Sequence, residues 1–229
     1  NDELSSLLAH LRNSRQKPSQ KILDALATGD PFFALVRYRR RIEAAGLKPF
    51  NTKTSLRFFS LYRDSLRNVD LLGSWLPGEN LLGQHLEEAA LCSIRELEPY
   101  RSQEPWSAAL KGLRVLVVHP FSHSIPLQYG RREAVFPNSE HLPEFHLEVL
   151  SPPRSHFGEI DSADDWFRKL NALIENVFER KFDVALVGAG PFGLPLASAI
   201  KANGKISVQL GGALQPMFGI KGKRWKKDA

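Results

Sequence analysis

Residues 182–225, FDVALVGAGPFGLPLASAIKANGKISVQLGGALQPMFGIKGKRW, constrain the fold of this chain more than any other segment. An apolar run ends at Gly188, Gly190 and Gly193, and a second glycine pair, Gly211-Gly212, follows the next apolar run. This order predicts a strand, a glycine turn, a helix, a second strand and a second glycine turn that opens a short helix. Glycines let the backbone approach a ligand, and unpaired N–H groups at a helix start attract phosphate. The segment therefore predicts a phosphorylated ligand.

The G-x-G-x-x-G pattern between a strand and a helix is also typical of dinucleotide-binding domains. Such domains place an acidic residue near the end of the next strand, where it binds the ribose hydroxyls. Here that strand, residues 205–210, carries no carboxylate. The sequence therefore disfavours NAD or FAD, and the alternative that the glycines only allow close packing of helix and strand stays open.

Composition limits the class of protein. The 229 residues are 42% hydrophobic and 24% charged, which is ordinary for one large domain or two small ones. Cys92 is the single cysteine, which excludes an intramolecular disulfide and suits a reducing compartment. The longest uncharged run, residues 184–200, is too short and too interrupted by Gly and Pro to span a bilayer. We expect a cytoplasmic protein without a transmembrane segment.

The formal net charge of +6 is concentrated in two basic clusters. The first cluster comprises Arg37, Arg39, Arg40 and Arg41, and the second comprises Lys221, Lys223, Arg224, Lys226 and Lys227. Neither cluster carries a known nucleic-acid-binding motif or interleaved aromatic residues, so no nucleic-acid partner is expected. The cations Lys221, Lys223 and Arg224 alternate with glycines and could fold over a diphosphate; a solvated terminal tail is the alternative.

Hydrophobic patterning predicts the fold class. Residues 1–30 are expected to form a helical segment, and residues 31–229 a single α/β domain, with 98–112 as the candidate for an internal boundary. Helices are predicted over 54–69, over 84–91, in a segment ending near Phe136, and over 163–180; strands are predicted over 71–75, 114–118 and 145–150. Strands that alternate with helices indicate a Rossmann-like, mostly parallel sheet flanked by helices.

Polar side chains follow the predicted strand 114–118. His119, Ser122, His123 and Ser124 come directly after its carboxyl end. Because the carboxyl ends of strands in open parallel sheets line the ligand crevice, we predict that His119, Ser122 and Ser124 contact the ligand. A hydrogen-bonded structural histidine stays an alternative. A metal pair of His119 and His123 is disfavoured because Pro120 opposes the helix that their spacing would need.

Several motifs in the carboxyl-terminal part of the chain together resemble a largely uncharacterised bacterial family associated with polysaccharide synthesis. These motifs are PW at 105–106, LKGLRVLVVHPF at 110–121, SIPLQY at 124–129, LPEF at 142–145, DW at 165–166, DVALVGAGPFGLPLA at 183–197 and GGALQPMFGIKGKRW at 211–225. The layout is similar to that of the GT-D glycosyltransferases, which are Rossmann-like and use nucleotide-sugar donors.

The GT-D resemblance bears on the segment 36–43. Those enzymes carry an R-x-G-D-G-E motif whose acidic residues hold a divalent cation and the donor diphosphate. Arg37 matches the arginine of the motif, arginines replace its glycines and aspartate, and Glu43 lies one residue beyond the expected glutamate. A Mn²⁺ or Mg²⁺ cofactor is therefore left open. The arginines could neutralise a leaving diphosphate without a metal, or the site could be inactive.

The resemblance implies a glycosyltransferase that transfers a hexosyl group from a nucleotide sugar to a glycan or lipid-linked acceptor in surface-polysaccharide synthesis. Glu43 and His119 are the catalytic candidates. The residues expected to bind the nucleotide or its diphosphate are Arg37, Ser122, Ser124, Gly188, Gly190, Gly193, Gly211, Gly212, Lys221, Lys223 and Arg224. The alternatives are a non-catalytic nucleotide- or sugar-phosphate-binding module of a larger assembly and, third, a dinucleotide-dependent oxidoreductase.

Overall fold

The computed structural model describes residues 52–75, 86, 88–137, 140–153 and 163–221. Within these ranges the chain is an α/β protein with parallel strands in two sheets flanked by helices. The strands are β1 (Leu71–Ser74), β2 (Ala90–Ser93), β3 (Arg114–Val118), β4 (His146–Leu150), β5 (Val184–Val187) and β6 (Ile206–Gln209). The α-helices are α1 (Thr52–Leu66), α2 (Ser124–Tyr129), α3 (Arg132–Val135), α4 (Ala163–Phe178), α5 (Gly193–Ala202) and α6 (Leu214–Met217). The predicted helical segment 1–30 lies outside the described residues.

The larger sheet has four parallel strands in the order β4-β3-β5-β6. Its central strands have the sequences RVLVV and VALV, and every residue of them except Arg114 is buried. Continuous apolar runs of this kind are typical of strands covered on both faces. The outer strands β4 and β6 are more exposed and carry polar residues such as Glu148 and Gln209.

Alternate residues of the two central strands enter two separate hydrophobic cores, as the period of two along a strand requires. The first core contains Leu116, Val118, Ala185 and Val187 together with residues of α1, α4 and α5. The second core contains Val115, Val117, Val184 and Leu186 together with residues of α2 and α6. Helices therefore cover both faces of the larger sheet.

Helix α4 packs on the first core through Trp166, Leu170, Leu173 and Val177, which recur at helical spacing. The Trp166 ring is fully buried and stacks on Phe192, with ring centroids 4.9 Å apart and an angle of 16° between the planes. Phe192 belongs to the glycine turn that follows β5. The first core thus supports that turn directly.

The smaller sheet corrects one sequence prediction. Strands β1 and β2 pair in parallel, with Leu71 opposite Ala90 and Ser74 opposite Ser93. The helix predicted over 84–91 is therefore wrong at its end, since Ala90 and Leu91 lie in β2. A short apolar run does not distinguish helix from strand, and here the backbone groups of β1 provide the pairing partner.

Other predicted elements are confirmed with small shifts. Strand β3 has the predicted bounds, whereas the helix predicted over 54–69 ends at Leu66 in α1. The helix predicted to end near Phe136 is divided into α2 and α3 at Gly130-Arg131. Segment 98–112 contains the short 3-10 helices Pro99–Arg101 and Trp106–Leu110, and its role as a domain boundary stays a prediction.

Helix α1 is bound to the glycine turn after β5 by a hydrogen bond. The Tyr62 hydroxyl donates to the carbonyl oxygen of Pro191, and the Tyr62 ring packs on Phe58 with centroids 4.4 Å apart. Burial raises the pKa of Tyr62 well above its usual value, so the hydroxyl keeps its proton and remains a donor. A second bond, from Asn68 Nδ2 to Ser198 Oγ at 2.8 Å, joins the end of α1 to α5.

We expect Tyr62→Phe to lower the free energy of unfolding by about 1 kcal/mol, because the Pro191 carbonyl loses its donor while the ring packing is kept. Urea denaturation measures the change. Leu127→Ala is the control, since Leu127 is 72% exposed, and it should alter stability by less than about 0.5 kcal/mol. Equal stability of Tyr62→Phe and the wild type would contradict the assigned hydrogen bond.

Candidate functional site

The carboxyl ends of β3 and β5 form the point where the chain direction across the sheet reverses. After β3 the chain enters α2 on the face of the second core and continues to β4 on one side of β3. After β5 it enters α5 on the face of the first core and continues to β6 on the other side. Helices that leave neighbouring strands toward opposite faces open a crevice at the carboxyl ends, and ligands of open α/β sheets bind in such crevices.

His119 and Gly188 lie side by side at this crevice. Val118 is the partner of Val187 in the parallel pairing, so the next residue of each strand extends the same register. The Gly188 N–H donates to the Val118 carbonyl at 2.8 Å. A methyl group at Gly188 would lie 2.5 Å from Cδ2 of His119 and 2.8 Å from the carbonyl oxygen of Gly211. The absence of a side chain at Gly188 therefore provides the space that the His119 ring occupies.

The His119 ring is fixed by the loop that follows it. Its Nδ1 accepts a hydrogen bond from the Phe121 N–H at 3.0 Å, and the ring packs against Phe121 with centroids 5.1 Å apart. His119 is only 3% exposed, and burial lowers its pKa to about 4. At neutral pH the imidazole is therefore uncharged, with Nδ1 as the acceptor and the proton on Nε2.

The two glycine turns have the same local construction. Each begins a three-residue 3-10 helix, Gly190–Phe192 after β5 and Gly211–Ala213 after β6, which leads directly into α5 or α6. Gly190 has a φ of 56° and Gly211 a φ of 55°, a region that residues with side chains rarely adopt. Glycine is therefore required at the first position of both turns for conformational reasons.

The remaining glycines of the motif have different surroundings. A methyl group at Gly193 would meet the side chain of Gln209, with Nε2 3.0 Å away, so this glycine allows the end of β6 to lie close to the start of α5. A methyl group at Gly212 would have no atom within 4 Å, because Gly212 is exposed. Gln209 occupies the strand end where a dinucleotide site has its acidic residue, which agrees with the sequence argument against such a site.

The structure brings only some of the predicted site residues together. His119, Gly188 and Gly211 are in close proximity, and Gly190, Gly193 and Gly212 lie in the adjoining turns. Ser122 is half-buried after Phe121, Ser124 is the exposed first residue of α2, and Lys221 is exposed after α6. Their contact with a ligand stays a prediction. Arg37, Glu43, Lys223 and Arg224 lie outside the described residues.

The sequence leaves a divalent cation open, and Glu43, its candidate ligand, belongs to that undescribed part of the chain. Across the described ranges, no three His, Cys, Asp or Glu side chains are grouped as metal ligands would be. Across the same ranges, no helix combines the length and apolar character needed to cross a membrane.

Two contacts at the crevice were not identified from the sequence. The Phe121 N–H orients His119, and the Tyr62 hydroxyl holds the Pro191 carbonyl. The juxtaposition of His119 and Gly188 could have been detected from the sequence, because each residue directly follows the last residue of a central strand. The Tyr62 contact joins residues 129 positions apart, and no local pattern indicates it.

No family model, curated protein or solved structure matches this chain. The candidate site is therefore identified from the geometry of this chain.

We expect Gly188→Ala to destabilise the protein by about 1–3 kcal/mol, because the new methyl group would displace the His119 ring or the Gly211 carbonyl. Gly212→Ala is the matched control and should change the free energy of unfolding by less than about 0.5 kcal/mol. Urea denaturation of both variants provides the comparison. Equal effects of the two substitutions would show that the ring does not need the space at Gly188.

We also expect His119 to make stability depend on pH. Its pKa is about 4 in the folded protein, whereas an unperturbed histidine has a pKa of 6.5, so the unfolded chain binds more protons between these values. The free energy of unfolding should therefore fall by up to about 3 kcal/mol on acidification from pH 6.5 to 4. His119→Asn removes this contribution. The difference in the free energy of unfolding between the wild type and His119→Asn should be constant above about pH 7.5. Below about pH 6.5 the wild type should lose stability relative to the variant. A pH-independent difference would contradict the low pKa.

Proposed function

We propose that this chain binds a nucleotide-sugar donor at the carboxyl ends of β3, β5 and β6 and acts as a glycosyltransferase-like protein of surface-polysaccharide synthesis in the cytoplasm. The observation that carries the proposal is the convergence of His119, Gly188 and Gly211 at the reversal point of the sheet. In an α/β fold of Rossmann-like type, this is where a nucleotide ligand is expected.

The chemistry of the crevice supports a phosphorylated ligand. The glycine turns bring main-chain N–H groups to the carboxyl ends of two neighbouring strands, and an uncharged histidine lies beside the first of these turns. Lys221 follows α6 and is exposed, and we expect its positive charge to attract an anionic ligand. Fold alone does not specify function. The transferase activity and its glycan or lipid-linked acceptor therefore rest on two resemblances, that of the motifs to a bacterial family associated with polysaccharide synthesis and that of the layout to GT-D enzymes.

Thermal unfolding with nucleoside diphosphates and nucleotide sugars, with and without Mn²⁺, tests the proposal. A ligand at 100 times its dissociation constant should stabilise the protein by about 2.7 kcal/mol. Hydrolysis of the same nucleotide sugars then tests for transferase chemistry.

Gly212→Trp locates the binding site, because its side chain would extend into open space beside the second glycine turn without disturbing the core. We expect this variant to lose ligand-induced stabilisation while it keeps the unfolding temperature of the free protein. Ala109→Trp is the matched control, since Ala109 is exposed in the 3-10 helix that precedes the amino end of β3. Binding of no nucleotide sugar by the wild type, or equal binding by both variants, would contradict the proposal.

The second candidate is a nucleotide- or sugar-phosphate-binding module without catalytic activity. The low pKa of His119 favours it, because an imidazole with a pKa of about 4 is a weak base at neutral pH. Nucleotide binding by calorimetry without turnover of any nucleotide sugar would distinguish this module from a transferase.

A further inference from the structure

Three hydrogen-bond donors at the ends of β3 and β5 have no acceptor within the described residues. They are Nε2–H of His119 and the main-chain N–H groups of Ala189 and Gly190. The Nε2 proton follows from the contact at the other ring nitrogen, since Nδ1 accepts from Phe121 N–H. The next two residues that carry N–H groups are Phe192 and Gly193, and they donate to the carbonyls of Ala189 and Gly190 respectively.

These donors follow the ends of two paired strands, and two of the three belong to buried residues. The Cδ2 atom of His119, which is bonded to Nε2, lies 2.5 Å from the position of a Cβ at Gly188, and Ala189 and Gly190 follow directly. His119 is 3% exposed and Ala189 is 4% exposed, whereas Gly190 is exposed to solvent. A donor with little access to water and no acceptor costs free energy, so the groups of His119 and Ala189 favour a ligand that supplies acceptors.

We propose that Nε2–H of His119, together with the N–H groups of Ala189 and Gly190, binds a phosphate oxygen of the ligand, and that His119 acts as a fixed donor rather than as a general base. The inference deepens the proposed function and rests on it for the identity of the ligand. A phosphate oxygen fits because it accepts several hydrogen bonds and needs no acceptor in return, whereas a sugar hydroxyl would also need an acceptor for its proton. The Gly211 carbonyl is engaged by the Leu214 N–H.

Two substitutions separate the ligand contact from the structural role of the ring. His119→Gln keeps a donor near the position of Nε2 and loses the acceptor for Phe121 N–H. His119→Asn keeps an acceptor near Nδ1 and loses the donor. The two variants therefore exchange the two functions of the imidazole, and each is the control for the other.

Calorimetric titration with inorganic pyrophosphate is the measurement, paired with urea denaturation of the free proteins. We expect His119→Gln to bind pyrophosphate within a few-fold of the wild type and His119→Asn to bind about 10- to 100-fold more weakly. Stability should follow the opposite order, with His119→Asn closer to the wild type. If affinity instead follows stability, so that His119→Gln is the weaker binder, His119 has a structural role only and the proposal is overturned.

The other possible outcomes also support or overturn the inference. Absence of pyrophosphate binding by the wild type would overturn the inference, as would a ¹⁵N NMR spectrum of the free protein that places the His119 proton on Nδ1. Pyrophosphate binding with the expected order of variants but without binding of any nucleotide sugar would support the inference and refute the proposed function. Nucleotide-sugar binding that is unchanged in His119→Asn would support the proposed function and refute the inference.

Discussion

The parallel pairing of β3 with β5 is the constraint on which the rest of this structure depends. It places Val118 opposite Val187, and one residue further it places a histidine beside a glycine. Because Gly188 has no side chain, both the imidazole of His119 and the carbonyl of Gly211 in the next turn can lie close to it. Both hydrophobic cores include residues of these two strands, so the register at the site is fixed by burial on both faces of the sheet.

The repeated form of the two glycine turns follows from the same geometry. Each turn must end a parallel strand and start a helix within a few residues, and each does so with a glycine at positive φ and a three-residue 3-10 helix. In both helices that follow, the third residue is proline, Pro195 in α5 and Pro216 in α6. Proline is tolerated in a first turn, where its missing N–H would have no intrahelical partner. Neighbouring strand ends thus have similar backbone paths.

Sequence patterns predicted the parts of the fold that depend on burial. The bounds of β3 were predicted to the residue because RVLVV is buried along almost its entire length. α4 was predicted over 163–180 because its apolar residues recur with the helical period, and it ends at Phe178. The helix expected over 84–91 failed where Leu91 pairs with Leu72, since the partner strand is not visible in a local window. The position of His119 beside the glycine turn could be expected from strand order. Its tautomer could not, because that depends on where the Phe121 N–H points.

The hydrogen bond between Tyr62 and Pro191 has a consequence for how the protein responds to a ligand. Pro191 lies within the glycine turn, and Tyr62 lies on α1, a helix that contributes Phe58 to the first core. Any contact that restrains the turn also restrains α1, and a loosening of α1 releases the turn. Occupancy of the crevice and the local stability of α1 are therefore thermodynamically linked, although the helix contributes no described side chain to the unpaired donors at the crevice.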